Sequence, residues 1–248
     1  MNRTLPILAF AIMVVVWQVV ASGFGIPSYI MPSPLDILGE YMRFGFHFVP
    51  HLLVTLQTIL VGFALAVVIA IPLGALIASS RFVATAIFPL IVFGHAIPVI
   101  ALAPIIVVSL GPGFAARVVV VVLISFFPIL VSTITGVRAT PREMLELSKV
   151  AGASGLQCLL NIKILSAIPY LFNGLRIGIS TAVIGGVVGE FIASDRGLGY
   201  LVVHSTQNFD VPRAMAAVVL LALTSVLLYQ AVEWLQKWLF RWSLGSSG

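Results

Sequence analysis

The residues of this chain that could carry chemistry are few and scattered: Glu190, Arg176, the four histidines His47, His51, His95 and His204, and one cysteine, Cys158. His47 and His51 stand four apart, a spacing at which two imidazoles on a helix can share a metal. No third ligand lies nearby and Pro50 disturbs the turn between them, so no metal and no other cofactor is expected. His95 reads as a hydrogen-bonded core residue, and His204 falls in a loop. A lone cysteine excludes an intrachain disulfide. No cluster of His, Asp, Glu and Cys has the spacing of a nucleophile or metal centre, so no catalytic residue is expected. There is also no Gly-x-x-x-x-Gly-Lys phosphate loop, nor any Gly-Lys pair. The chain therefore cannot hydrolyse ATP alone by that route. Glu190 and Arg176 lie in a long apolar stretch. An ionisable group in such a place is a functional hypothesis by default. Two readings of Glu190 stay open: a proton relay, or a side chain that snorkels to a nearby surface.

The elements that must position these residues follow from composition. Only 8% of the residues are charged while 60% are hydrophobic, with a mean hydropathy of +1.17. A soluble domain carries roughly 25% charged residues, so this chain cannot cover a water-facing surface. Leu52 to Ser80, Phe82 to Ala116, Val118 to Val137 and Ala214 to Val232 contain no Asp, Glu, Lys or Arg. Each supplies the ~20 residues that cross a bilayer core as a helix. The expected fold is all-α: a polytopic membrane helical bundle forming one transmembrane domain over 1–248. About six spans are placed at 5–22, 53–79, 84–110, 117–137, 168–192 and 213–236. The first is read as an uncleaved span rather than a signal peptide, because its apolar run is long and Val20-Ala21-Ser22-Gly23 is a poor cleavage site.

The net charge of +5 points to topology, not to nucleic acid. With the N-terminus inside, the inner segments hold Arg3, Arg81, Arg138, Arg142, Lys149, Lys163, Lys237 and Arg241. The outer segments hold only Arg43, Arg117, Arg196 and Arg213. Eight against four follows the positive-inside rule and puts both termini in the cytoplasm. The outer segment Gly23 to Pro50 reads as a turn followed by a short amphipathic helix lying on the outer face.

Prolines punctuate the spans. Pro72 sits in the second, and Pro89, Pro98 and Pro104 in the third, where each must kink or interrupt a helix. The third span either packs in the bundle in the ordinary way or lines a pathway. In the fifth, Gly174, Gly178, Ala182 and Gly186 recur every four residues and so share one helix face. Such a stripe lets another backbone come close, either within one subunit or across a dimer.

Arg138 to Leu165 is the longest inner segment. Thr140-Pro141-Arg142-Glu143 reads as a capping box with Pro at the first helical position. Its helix should run to about Val150, and Gly152 can take the left-handed conformation that ends it. Ser154-Gly155-Leu156-Gln157 reads as a second capping box, opening a helix that carries Leu156, Leu159, Leu160, Ile162 and Leu165 before Pro169 opens the next span. The result is a helix–turn–helix on the membrane surface, with an apolar and mixed-charge face suited to a protein partner.

The spacing from Glu146 through Gly152, then nine residues to Ile162 and Ile164, resembles the EAA motif of ABC importer permeases. Leu147 and Ser148 stand for its two alanines, Leu165 for its proline, and Pro169 matches a second proline common in the group. Pro128 to Ile134, Gly136-Val137-Arg138, Gly174-Leu175-Arg176-Ile177, Val188 to Ile192 and Gly197-Leu198-Gly199-Tyr200 are similar to one branch, which takes up nitrate, aliphatic sulfonates, taurine, pyrimidine thiamine precursors and riboflavin. The resemblance extends from about Trp17 to Trp242. It implies a bacterial inner-membrane permease, often a homodimer, that receives its solute from a periplasmic or lipid-anchored binding protein. It further implies that separate ATPase subunits dock on the loop through Glu143, Glu146, Lys149, Gly152, Ala153, Ser154, Ile162 and Pro169. The rival is a proton-coupled secondary transporter working through Glu190 or His95. Such proteins usually show an internal repeat and charge or broken helices at the midplane; no repeat is visible here.

Overall fold

The computed structural model describes residues 4–241; Arg3 and Trp242 lie outside the described residues. Ten helices follow in order: α1 (Thr4–Gly23), α2 (Pro34–Ser79), α3 (Arg81–Ala96), α4 (Val99–Leu110), α5 (Phe114–Arg138), α6 (Arg142–Val150), α7 (Gly155–Cys158), α8 (Ile164–Ala193), α9 (Leu198–Gln207) and α10 (Val211–Leu239). No strand occurs among the described residues. The expected all-α bundle is what forms. Five helical stretches are long and apolar enough to cross a membrane, and the bent pair α3–α4 makes a sixth.

Chemistry at the joints explains the breaks. Ser33 caps α2 reciprocally with Asp36, and Pro34 occupies the first turn, where its missing N–H costs nothing. The short helix expected after the turn forms the first part of α2, and a kink at Phe44 separates it from the membrane stretch. α2 runs on through Pro50 into the membrane stretch, with its one non-helical residue at Phe44 (φ −128°, ψ 16°). Pro50 crowds the carbonyl of Phe46, four residues before it, and the kink at Phe44 falls just ahead of that turn. Between α3 and α4, Pro98 cannot donate and pushes Ile97 into extended backbone (φ −73°, ψ 125°). The two halves are bent by 92°.

The centre of the bundle is made by α2, α5 and α8. Built onto Gly174, a side chain would strike Ser132; onto Gly178, Ile129; onto Gly186, Ile59. On Gly185 it would meet the Cα of Val121 at 2.8 Å, and on Gly189 the Cα of Arg117 at 3.0 Å. Numbers fall along α5 as they rise along α8, so the two pack antiparallel. From α2, Gly62 faces Val121 and Gly74 faces Thr133, with both numbers rising, so α2 and α5 run parallel. The stripe of Gly174, Gly178, Ala182 and Gly186 thus packs inside this chain; Ala182 is fully buried. Buried hydroxyls that would otherwise be stranded in this apolar core bond back to their own helices. Thr133 donates to Ile129 O and Ser125 to Val121 O, each at 2.7 Å.

With these directions, the ends of α2, α5 and α10 and the start of α8 share one pole of the bundle with the 138–165 loop. The starts of α5 and α10, the end of α8 and all of α9 share the other.

Candidate functional site

At the loop pole, local sequence shapes a short exposed hairpin. α6 ends in a Schellman motif: Ala153 N–H donates to Ser148 O and Gly152 N–H to Lys149 O, both at 3.0 Å. That closure needs a left-handed residue, and Gly152 supplies it at φ +70°. Ser154 and Gln157 then cap α7 reciprocally, with Ser154 N–H donating to Gln157 Oε1 at 2.8 Å. The cap expected at Thr140 is absent. Thr140 Oγ1 instead donates to Val137 O at 2.9 Å, so α6 begins one residue later, with Pro141 in the capping position and no side-chain cap. The bond to Val137 O turns the Thr140 side chain toward the end of α5 and away from the first turn of α6.

The second helix also differs from expectation. α7 passes through one π-helical turn, Leu159–Lys163, directly into α8. Pro169 therefore lies inside a continuous helix and opens nothing.

Glu143, Glu146, Lys149, Gly152 and Ser154 are exposed, while Ala153, Ile162 and Pro169 are half-buried. The apolar residues of α6 do not turn inward. Leu147 is 70% and Val150 87% exposed, and Leu156 beyond the turn is 66% exposed. Met144 and Leu147 form, with Asn161, Ile162, Leu165 and Ser166, a cleft of about 300 Å³ between α6 and the entry to α8. Two hydrogen-bonded turns hold this hairpin and its apolar side is left uncovered.

At the opposite pole the structure assembles a site that sequence reasoning missed. α9 begins after Gly197, which has no side chain with which to cap it. Its orphan N–H groups are capped from elsewhere. Leu198 N–H donates to Thr55 Oγ1 of α2 at 2.8 Å, and Gly199 N–H to Glu190 Oε2 of α8 at 2.7 Å. Gly197 N–H donates to His51 Nδ1 at 3.0 Å. Arg117 at the start of α5 donates to Ser194 Oγ. Glu190 is 1% exposed; it does not snorkel but serves as a cap in trans. Gly197 adopts φ +118°, and any side chain there would collide with the Glu190 carboxyl. The sequence signal was present in Gly197-Leu198-Gly199, a helix start without a capping side chain.

The other expectations resolve as follows. Arg176 does not snorkel either; it donates to Gln236 and lies 6.0 Å from the Tyr229 ring centre, joining α8 to α10. His95 is exposed, not in the core, and stacks on Phe127 at 3.8 Å. His204 belongs to α9, not to a loop. Among the described residues no group of His, Cys, Asp and Glu could hold a metal.

A capping role for Glu190 predicts a specific mutational pattern. Glu190→Gln keeps an acceptor for Gly199 N–H and leaves the melting temperature near wild type. Glu190→Ala strands a buried N–H and lowers stability by about 2 kcal/mol, read as a lower melting temperature in detergent. Loss of uptake in a stably folded Glu190→Gln chain would point to proton transfer instead.

Apolar helices of membrane length, one pair of them bent by 92°, packed around a glycine-lined centre define a multi-pass membrane protein. Residues 70–243 match the family described as binding-protein-dependent transport system inner membrane component, and the chain belongs to that family. The formylaminopyrimidine transport permease ThiX of Halalkalibacterium halodurans is 37% identical, over 96% of this chain and 95% of its own. The riboflavin transport system permease RibX of Chloroflexus aurantiacus is 37% identical, over 93% of this chain and 87% of its own. Among solved structures, an inward-facing form of the methionine ABC transporter MetNI shares the fold, with a TM-score of 0.71 and 21% identity over 78% of this chain and 96% of that one. The protein is an ABC importer permease.

Proposed function

We propose that this permease passes a small heterocyclic solute, of the kind named for its pyrimidine- and riboflavin-transporting relatives, across the bacterial inner membrane, driven by separate ATPase subunits docked on α6 and α7. The observation that carries the reading is the uncovered apolar side of α6 beside an αL turn at Gly152. Leu147 and Val150 are too exposed for a connector, and Glu143, Glu146 and Lys149 surround them with charges that fix orientation. Hinging at Gly152 lets the two short helices seat together, and continuity of α7 with α8 transmits their movement into the core. Ala153, Ser154, Ile162 and Pro169 act by shaping that joint rather than by contact alone.

Orientation follows from charge. Among the described residues, the loop pole carries Arg81, Arg138, Arg142, Lys149, Lys163, Lys237 and Arg241, and the opposite pole Arg43, Arg117, Arg196 and Arg213. The positive-inside rule places the loop in the cytoplasm with both termini, so the α9 pole meets an extracytoplasmic solute-binding protein. The exposed faces of α3 and α4, including His95 on Phe127, suit the contact with a second permease in a homodimer.

The test is a Cys158→Ser chain carrying Val150→Cys, cross-linked in membranes. The expected product joins the permease to its ATPase, and reconstituted uptake requires ATP. Uptake in liposomes driven by a proton gradient with no ATPase present would overturn the reading in favour of a secondary transporter.

A further inference from the structure

At the α9 pole the bundle frames an open cavity of about 540 Å³, a volume in the range of small-molecule sites. Its lining comes from α2, the 194–197 turn, α9 and the start of α10, and includes His47, Phe48, His51, Arg196, Tyr200 and His204. Three of these rings form a ladder. His51 lies parallel to Tyr200 at 6.1 Å and 9°, and Tyr200 lies 5.4 Å from His204. His51 Nδ1 lies 3.0 Å from Gly197 N and 3.1 Å from Gly197 O, so the 197 peptide pins the ring by one edge. His51 Nε2 is left to hydrogen-bond a ligand at the edge of an aromatic wall.

The wall is built before any ligand arrives. Gly197, Leu198 and Gly199 are bound to His51, Thr55 and Glu190 respectively, so the turn and the start of α9 cannot drift. Such preorganisation spares a ligand the ordering cost.

Charge selects the ligand class. Arg213, also on the wall, is already paired at 3.3 Å with both Glu40 and Asp210, and its guanidinium lies 4.4 Å from the Phe44 ring centre. Asp195 lines the same cavity as Arg196, so its carboxylates match its guanidinium groups and leave no surplus of fixed positive charge for a sulfonate or nitrate. What it has in excess is flat aromatic surface and single hydrogen-bonding groups. We infer that this cavity is a binding site on the permease itself for a planar, nitrogen-rich heteroaromatic solute, held by stacking on Tyr200 and His204 and by hydrogen bonds to the His51 ring and from Arg196. The site deepens the proposed function, resting on that reading for its place on the uptake route. It gives the permease a selectivity of its own for what is handed to it.

Binding is tested on the purified full-length chain in lipid nanodiscs without ATPase or nucleotide, using riboflavin fluorescence and competition by formylaminopyrimidine. Saturable quenching is expected, relieved by the pyrimidine and unaffected by taurine. Tyr200→Leu weakens it by about tenfold or more, as expected for loss of a stacking face, whereas Tyr200→Phe binds like wild type. Trp234→Leu, remote on α10, changes nothing. No saturable binding, displacement by taurine, or equal loss in Trp234→Leu would overturn the inference, as would full binding by a folded Tyr200→Leu chain. ATP-driven uptake by the complete complex is scored separately. If uptake persists while heterocycle binding is absent, the cavity assignment fails and the importer reading stands; if binding holds and ATP drives no uptake, the reverse applies.

Discussion

A Gly152→Val chain inserts, melts like wild type, and supports less than about a tenth of wild-type ATP-driven uptake. The size of the effect follows from the backbone. Gly152 sits at φ +70° with nothing within 4 Å of where a Cβ would project, so the cost is conformational and not a clash. A left-handed L-residue costs about 1–2 kcal/mol, and a β-branched one is a still poorer fit. That suffices to open the Schellman turn, because nothing else fastens α6 to α7 as tightly. Bundle stability is untouched, since the apolar core of α2, α5 and α8 lies elsewhere. Melting temperature and uptake must therefore separate, and a Gly152→Ala chain should fall between valine and wild type. A Gly152→Val complex with normal ATP-driven uptake would show that the hairpin is not the coupling element.

Gly185→Leu gives the opposite pattern, a chain that no longer folds stably. A Cβ at Gly185 would stand 2.8 Å from the Cα of Val121 and 3.4 Å from Val120 O. Backbone cannot rotate out of the way as a side chain can, so α5 and α8 must separate along their length. Overpacking costs about 1–3 kcal/mol even where side chains yield; here about 3 kcal/mol or more is expected, seen as loss of folded protein in membranes. Gly186→Ala is a milder neighbour, because Ile59 Cγ1 at 2.9 Å belongs to a side chain that can move. Gly39 in α2 meets nothing within 4 Å, and Gly39→Ala should be neutral or gain up to about 1 kcal/mol from helix propensity. If Gly185→Leu melted within a few degrees of wild type, the close antiparallel contact of α5 and α8 would be wrong.

Class, hairpin and glycine stripe were legible in the sequence for one shared reason. Each depends on residues close together in the chain: uncharged runs of membrane length, Gly152 set between a helix and Ser154-Gly155-Leu156-Gln157, and small residues every four positions. Even there, competition misled. Thr140 had two helix ends within reach, and it serves the one behind it. Pro169 looked like a helix start, but a π turn ahead of it, which no local pattern announces, carries α7 straight into α8.

What the sequence alone determined is that this chain lives in a membrane and turns one amphipathic hairpin outward, because solvation and local backbone preference act on neighbouring residues. Only the tertiary structure decided what the glycines of α8 touch, that Glu190 is a buried cap, and that an aromatic cavity stands beside it. Thr55 and Leu198 lie 143 positions apart, and their meeting is set by how α2, α5 and α8 pack. Polar groups left unpaired by one helix in an apolar bundle must be satisfied by another, and no pattern within either helix states which one.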